Sequence, residues 1–151
     1  MTAQATAQPH STTRPRRALP ALPDLALLVL RLALGTIVLA HGAQKVFQFG
    51  LAGTGESFAG MGVPVGEIAG PVVAFIELIG GAAIILGAAT RLFAVLVAVA
   101  MIVATFLVHA PNGIFAADGG FELTMLIAAG ALTLTLASAG RFSVDGVVAR
   151  R

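Results

Sequence analysis

The chain has 151 residues, 58% of them hydrophobic and 11% charged, with a formal net charge of +2. Soluble domains carry about 25% charged residues, so this composition cannot cover a soluble globule and places the chain in a membrane. Cysteine is absent, which excludes disulfides, thiolate ligands and the CxxC type of membrane thiol oxidoreductase.

Residues 1–22, MTAQATAQPHSTTRPRRALPAL, are polar, Pro-rich and basic, and read as a disordered cytoplasmic tail. The RPRR run ahead of an apolar stretch invites a signal peptide. That stretch is long, however, Arg31 interrupts it, and no small-residue cleavage site ends it, so a retained first helix is expected. Four apolar runs follow, at about 24–47, 67–89, 92–109 and 121–139, each near the ~20 residues that a bilayer requires. Four strands cannot close a barrel. The expected fold is therefore an all-α membrane protein, a four-transmembrane-helix bundle filling residues 23–140, with residues 141–151 as a second tail. Seven of the positive charges (Arg14, Arg16, Arg17, Arg91, Arg141, Arg150 and Arg151) fall at one side of this arrangement and one, Lys45, at the other. The imbalance predicts that both termini are cytoplasmic.

The polar residues within the spans carry the chemistry, because ionisable groups in hydrocarbon are costly and usually face the bundle interior. Around a helix of the first span, Gly35, Val38, Gly42 and Lys45 lie within about 40° of Arg31, and His41 about 80° away. In the second span Glu77 shares a face with Gly70, Ala74, Gly81, Ile84 and Ala88. Stripes of small residues let helices approach closely, so the two faces are expected to meet each other or the bundle centre. At 1.5 Å per residue, Arg31 lies about 10 Å and Glu77 about 16–18 Å from the cytoplasmic ends of their spans. A structural Arg31–Glu77 ion pair is the expectation.

A second polar layer lies higher. His41 is about 25 Å from the cytoplasmic side, and His109 is at a similar level. In LVHAPNGIFAADGGFELTM, residues 107–125, His109 and Asn112 precede a Gly-rich link, and Glu122 opens the fourth span. Lys45, Asn112, Asp118 and Glu122 share the outer level. Each feature also has a structural reading: interfacial histidines wetted by headgroup water, a Pro-Asn-Gly helix stop, and a glutamate favoured by a helix N-terminus. Their convergence from three spans is what points to a site. A loose internal echo, FIELIGGAAIILGAATR against FELTMLIAAGALTLTLASAGR, suggests two similar helical hairpins.

Together, LVLRLALGTIVLAHGAQKVF, GMGVP, FIELIGGAAIILGAATRLFA, LVHAPNGIF and GGFELTMLIAAGALTLTLASAGRFSVD resemble the DoxX family over about residues 24–146. The resemblance implies a four-helix protein of the bacterial inner membrane. It further implies kinship with a membrane subunit of thiosulfate:quinone oxidoreductase. In mycobacteria-like actinobacteria, it implies association with superoxide dismutase and a thiosulfate sulfurtransferase in a complex serving oxidative-stress resistance.

The leading functional expectation is a redox-complex subunit with a quinone site in the outer leaflet. His41, Lys45, His109 and Asn112 would contact the cofactor, and His41, His109 and Glu122 would act in catalysis, with Glu122 relaying protons. A haem held by His41 and His109 is disfavoured because no haem motif surrounds them, and no metal site is expected. A membrane scaffold for soluble enzymes is the alternative. A small transporter is weaker, since the chain has no Trp or Tyr for an aromatic cage. Lipid is an expected partner and nucleic acid is not; the Gly-rich helix faces leave a homodimer open.

Overall fold

A computed structural model describes residues 22–151, so the expected N-terminal tail lies outside the described residues, apart from Leu22. Every regular element among them is helical. Helix α1 (Leu22–Ala43) continues as a π-helical turn (Gln44–Gln48), and α2 (Gly50–Gly60) follows. Helix α3 (Gly66–Leu86) leads through a tight link to α4 (Thr90–Ala104), which continues as a second π-helical turn (Thr105–His109). Two 3-10 turns, Ala110–Asn112 and Ala116–Asp118, precede α5 (Glu122–Ala137), and a short α6 (Val144–Val148) ends the chain.

Three stretches are long and apolar enough to cross a membrane: Leu22–Gln48, Gly66–Leu86 and Thr90–Asn112. Helix α5 is apolar but shorter, at 16 residues. Large apolar side chains cover the outside, with Ile79, Val99, Phe106, Leu126 and Leu136 all exposed, while the charged Arg31 and Glu77 are buried. A continuous apolar exterior of this kind marks a surface that meets lipid.

The fold is built from two antiparallel pairs, α1 with α3 and α4 with α5, joined where α3 meets α4. The small-residue stripes do face each other. A side chain at Gly42 would run into the Leu78 backbone, and one at Gly81 into Leu39. Gly35 abuts Ile85 in the same seam. Such contacts bring the backbones together where no hydrophobic force between helices is available. The shared core is small and dense: Leu34, Val38, Ile84, Val97, Ala98 and Ala131 are among its members. The hydroxyls of Thr105 and Thr124, 2.7 Å apart, tie α4 to α5.

Helix α2 was not expected. Its sequence, GLAGTGESFAG, is rich in Gly, which disfavours a helix by about 1 kcal/mol per residue relative to Ala. Packing overrides that preference: Gly55, Gly66 and Gly70 let α2 and α3 touch backbone to backbone. Thr54 is buried and donates to the Lys45 carbonyl at 2.9 Å, satisfying an acceptor in the adjoining π turn.

The expected Arg31–Glu77 pair does not form. Arg31, 1% exposed, donates instead to four carbonyls. Nε reaches Ile84 O at 2.9 Å and Nη2 reaches Ile85 O at 2.8 Å, while Nη1 reaches Ala139 O at 2.8 Å and Phe142 O at 2.9 Å. The reason is register. Arg31 lies level with the last turn of α3, beyond the regular i to i+4 bonds, where Ile84 O has a cap bond from Gly87 N and still accepts from the guanidinium, and where the helix dipole favours a cation. Glu77 lies about two turns away, next to Lys45.

The C-terminal segment completes this end of the bundle. Asp145 accepts from Ala89 N at 2.8 Å and Thr90 N at 2.9 Å, capping α4. Ala89 holds a left-handed φ of 46°, a strained conformation for a residue with a side chain. Gly87, at φ 69°, has no room for a side chain between Ser143 and Arg31. Asp24 accepts from Arg141 N at 2.8 Å, closing the end from the α1 side.

Two outcomes follow. Arg31→Leu removes the side-chain donor from four carbonyls, of which Ile84 O keeps a main-chain bond from Gly87 N, and lowers stability in detergent by about 3 kcal/mol or more, measured by thermal unfolding; Arg31→Lys, lacking the fork, recovers only part. For Asp145, burial opposes ionisation, but the Thr90 and Ala89 hydrogen bonds and the Arg31 charge outweigh it and hold the carboxyl below its ordinary value. A depressed pKa stabilises the fold fully above the unfolded value of about 3.9, and the contribution is lost as pH falls through the folded one. An acid titration of unfolding temperature therefore shows a loss below about pH 4, and Asp145→Asn flattens it.

Candidate functional site

Between the α1–α3 and α4–α5 pairs, at the end away from Arg31, lies a cavity of about 600 Å³. Ligand pockets typically measure about 300–1,000 Å³. Its walls are apolar, with Val38, Ile76, Leu96, Val103, Leu107 and Leu123 among them. Helix α2 and the residue that follows it close one side through Phe58 and Met61, and the loop before α5 closes another through Ala116, Gly119 and Gly120.

Polar groups enter this space in a few places. His41 and Lys45 come from α1 and its π turn, Glu77 from α3, His109 from the second π turn and Thr124 from α5. Both π turns thus carry a cavity residue. A π turn widens the helix by one residue and commonly marks a functional position.

Lys45 Nζ and Glu77 Oε2 form an ion pair at 2.5 Å. Glu77 is 3% exposed and Lys45 17%. This is the only ion pair among the described residues. An ammonium carries three donors; one is used by Glu77, and the others remain for a ligand oxygen. His109 Nδ1 lies 2.7 Å from Gly119 O. A carbonyl only accepts, so Nδ1 bears the proton and the neutral ring keeps its lone pair on Nε2. His41 has no hydrogen-bond partner among the described residues and is half-buried on the cavity wall.

The structure therefore gathers three of the expected site residues, His41, Lys45 and His109, on one cavity. It does not bring Asn112 or Glu122 to the wall. Glu122 Oε1 accepts from Ala116 N at 2.8 Å, and Asn112 Nδ2 reaches Gly119 O at 3.3 Å. Both brace the loop that closes the cavity. The carboxylate that does face the space is Glu77. Its signal in the sequence was its position deep in an apolar span; assigning it to Arg31 hid the role. Among the described residues no group of three His, Asp or Glu gathers as metal ligands would.

Such a cavity can hold a flat apolar ring bearing oxygen atoms. Lys45 and His41 would hydrogen-bond the oxygens, and the Glu77 carboxylate and His109 Nε2 can each take a proton.

A family model described as DoxX matches residues 26–110. The chain is 36% identical over 114 residues to "Putative oxidoreductase CatD" of Bacillus subtilis (strain 168), covering 74% of this chain and 80% of that protein. It is 29% identical over 130 residues to "Inner membrane protein YqjF" of Escherichia coli (strain K12), covering 86% of this chain and 97% of that protein. No solved structure matches.

Removing half of the ion pair tests the geometry of the site. Lys45→Met leaves Glu77 buried without a partner and lowers stability by about 3–5 kcal/mol. The double variant Lys45→Met/Glu77→Leu recovers most of that loss in the same unfolding measurement. Additive losses would show that the two groups are not coupled.

Proposed function

Because the chain belongs to the DoxX family of membrane proteins, we propose that it is a multi-pass inner-membrane subunit of a redox complex that holds a quinone in the α1–α3/α4–α5 cavity. The observation that carries this reading is the cavity itself: an apolar space with the Lys45–Glu77 pair and two histidines at one end. A membrane quinone has the matching pattern, a ring with two carbonyl oxygens and an apolar tail. Val103 on α4 lines the cavity and is exposed, so the tail leaves into lipid there. The name of the Bacillus relative, an oxidoreductase, supports the same class of chemistry.

In this reading α5 is the fourth span, both termini are cytoplasmic and the cavity lies in the outer leaflet. Lys45 would bind one carbonyl oxygen and His41 the other, with His109 Nε2 beside them as an acceptor. A quinone held there would supply two-electron, two-proton chemistry, for which Lys45 and His41 would donate protons and the Glu77 carboxylate and His109 Nε2 would accept replacements. The chain has no cysteine, so sulfur chemistry occurs on a partner enzyme. The superoxide dismutase and thiosulfate sulfurtransferase implied by the family resemblance are the proposed partners, and oxidative-stress resistance the proposed service. In the second reading the chain only holds such enzymes at the membrane; the structural use of Asn112 and Glu122 to brace a loop suits a docking surface.

Quinone reduction in inverted membranes from cells with and without the gene separates the two. Thiosulfate serves as trial donor, with and without soluble extract. The first reading expects gene-dependent reduction that falls about 100-fold in the His41→Ala/His109→Ala variant. Unchanged reduction in that variant removes the site, and no dependence on the gene leaves the scaffold.

A further inference from the structure

The end of the bundle opposite the quinone-type cavity carries a second concavity. Where α1 and α4 begin and α5 ends, a cleft of about 650 Å³ is lined by Arg91, Arg141 and Arg150, together with Asp24 and Asp145. The two carboxylates are occupied by backbone donors: Asp24 by Arg141 N, and Asp145 by Ala89 N and Thr90 N. None of the three arginines forms an ion pair with a carboxylate among the described residues. Arg150 Nη2 instead donates to Arg141 O at 3.1 Å, which draws the C-terminal arm back along the cleft. Three arginines therefore line one cleft against two carboxylates whose hydrogen bonds go to backbone donors, which leaves the cleft net positive.

The surroundings specify what anion fits. Leu92 lines the same cleft and is 59% exposed, and Leu136 on the last turn of α5 is 81% exposed. The cleft thus opens where apolar helix surface starts, at the level of lipid headgroups. A soluble anion would use the arginines and leave these leucines in water. A lipid uses both: guanidinium groups bind phosphate oxygens bidentately, and acyl chains cover the leucines. Basic pockets between membrane helices recognise anionic headgroups in this way.

We propose that this cleft binds the phosphodiester headgroup of an anionic phospholipid, held by Arg91, Arg141 and Arg150 with its acyl chains along Leu92 and the end of α5. The site is independent of the quinone reading and stands or falls without it. Bound lipid would fasten the C-terminal arm, and with it the Asp145 cap, to the membrane surface.

The test uses the full chain reconstituted in vesicles of phosphatidylglycerol and phosphatidylcholine in equal parts, then extracted, with co-purifying lipid measured by mass spectrometry. Phosphatidylglycerol is expected to be retained over phosphatidylcholine. Each arginine changed to Gln lowers its affinity about fivefold, read in the single variants Arg91→Gln, Arg141→Gln and Arg150→Gln as well as the triple. Arg151→Gln, outside the cleft, leaves retention unchanged. Retention equal to wild type in the triple variant overturns the proposal. So does complete displacement by excess inorganic phosphate, which would make the cleft a site for a soluble anion.

Discussion

One guanidinium sets the register of this bundle. Arg31 reaches four main-chain carbonyls, two in the last turn of α3 and two in the segment after α5. Only a planar fork can serve acceptors spread over that arc. Carbonyls at a helix C-terminus lie beyond the regular i to i+4 bonds and carry partial negative charge, and in hydrocarbon they have no water to fall back on. The interaction fixes how far α1 slides along α3. With Arg31 level with Ile84 and Ile85, Gly42 meets Leu78 and Lys45 meets Glu77. Lys45 stands about 21 Å along the helix from Arg31, so a structural lock at one end positions an ion pair at the other.

The molecule divides its polar groups accordingly. At the Arg31 end, Asp24, Asp145 and Ser143 bond to backbone, and the C-terminal segment closes over the links between spans. At the Lys45 end, the backbone loosens: two helices pass into π turns, and Lys45 and His109 stand on them beside an apolar cavity. Thr54, Asn112 and Glu122 spend their hydrogen bonds on the surrounding frame. What remains directed at the cavity is a small set of groups able to donate hydrogen bonds and move protons.

Much of this was legible in the sequence, for identifiable reasons. Apolar run length located the long helices to within a few residues, since the bilayer dictates length. The glycine stripes of α1 and α3 were legible because helical periodicity puts Gly35 and Gly42 on one face, and Glu77 with Gly81 on another. His41, Lys45 and His109 were recognisable as neighbours from depth alone. The partner of Arg31 was not: main-chain carbonyls are the same at every residue and leave no mark in a sequence, so Glu77 was the nearest visible anion. Depth counted from each span's end also missed the offset between α1 and α3. Helix α2 was hidden because its glycines lower helix propensity while their lack of side chains is what lets it pack. Glu122 looked like a site residue by level; only the folded loop shows its carboxylate turned to Ala116 N.

The most direct test of the central claim is photolabelling of the purified chain with an azido-quinone, followed by peptide mapping. The quinone reading predicts label within residues 38–45 and 96–109, displaced by unlabelled quinone and lost in Lys45→Met/Glu77→Leu. Label that resists displacement and spreads over lipid-facing positions such as Leu126 and Leu136, unaffected by that variant, would contradict it.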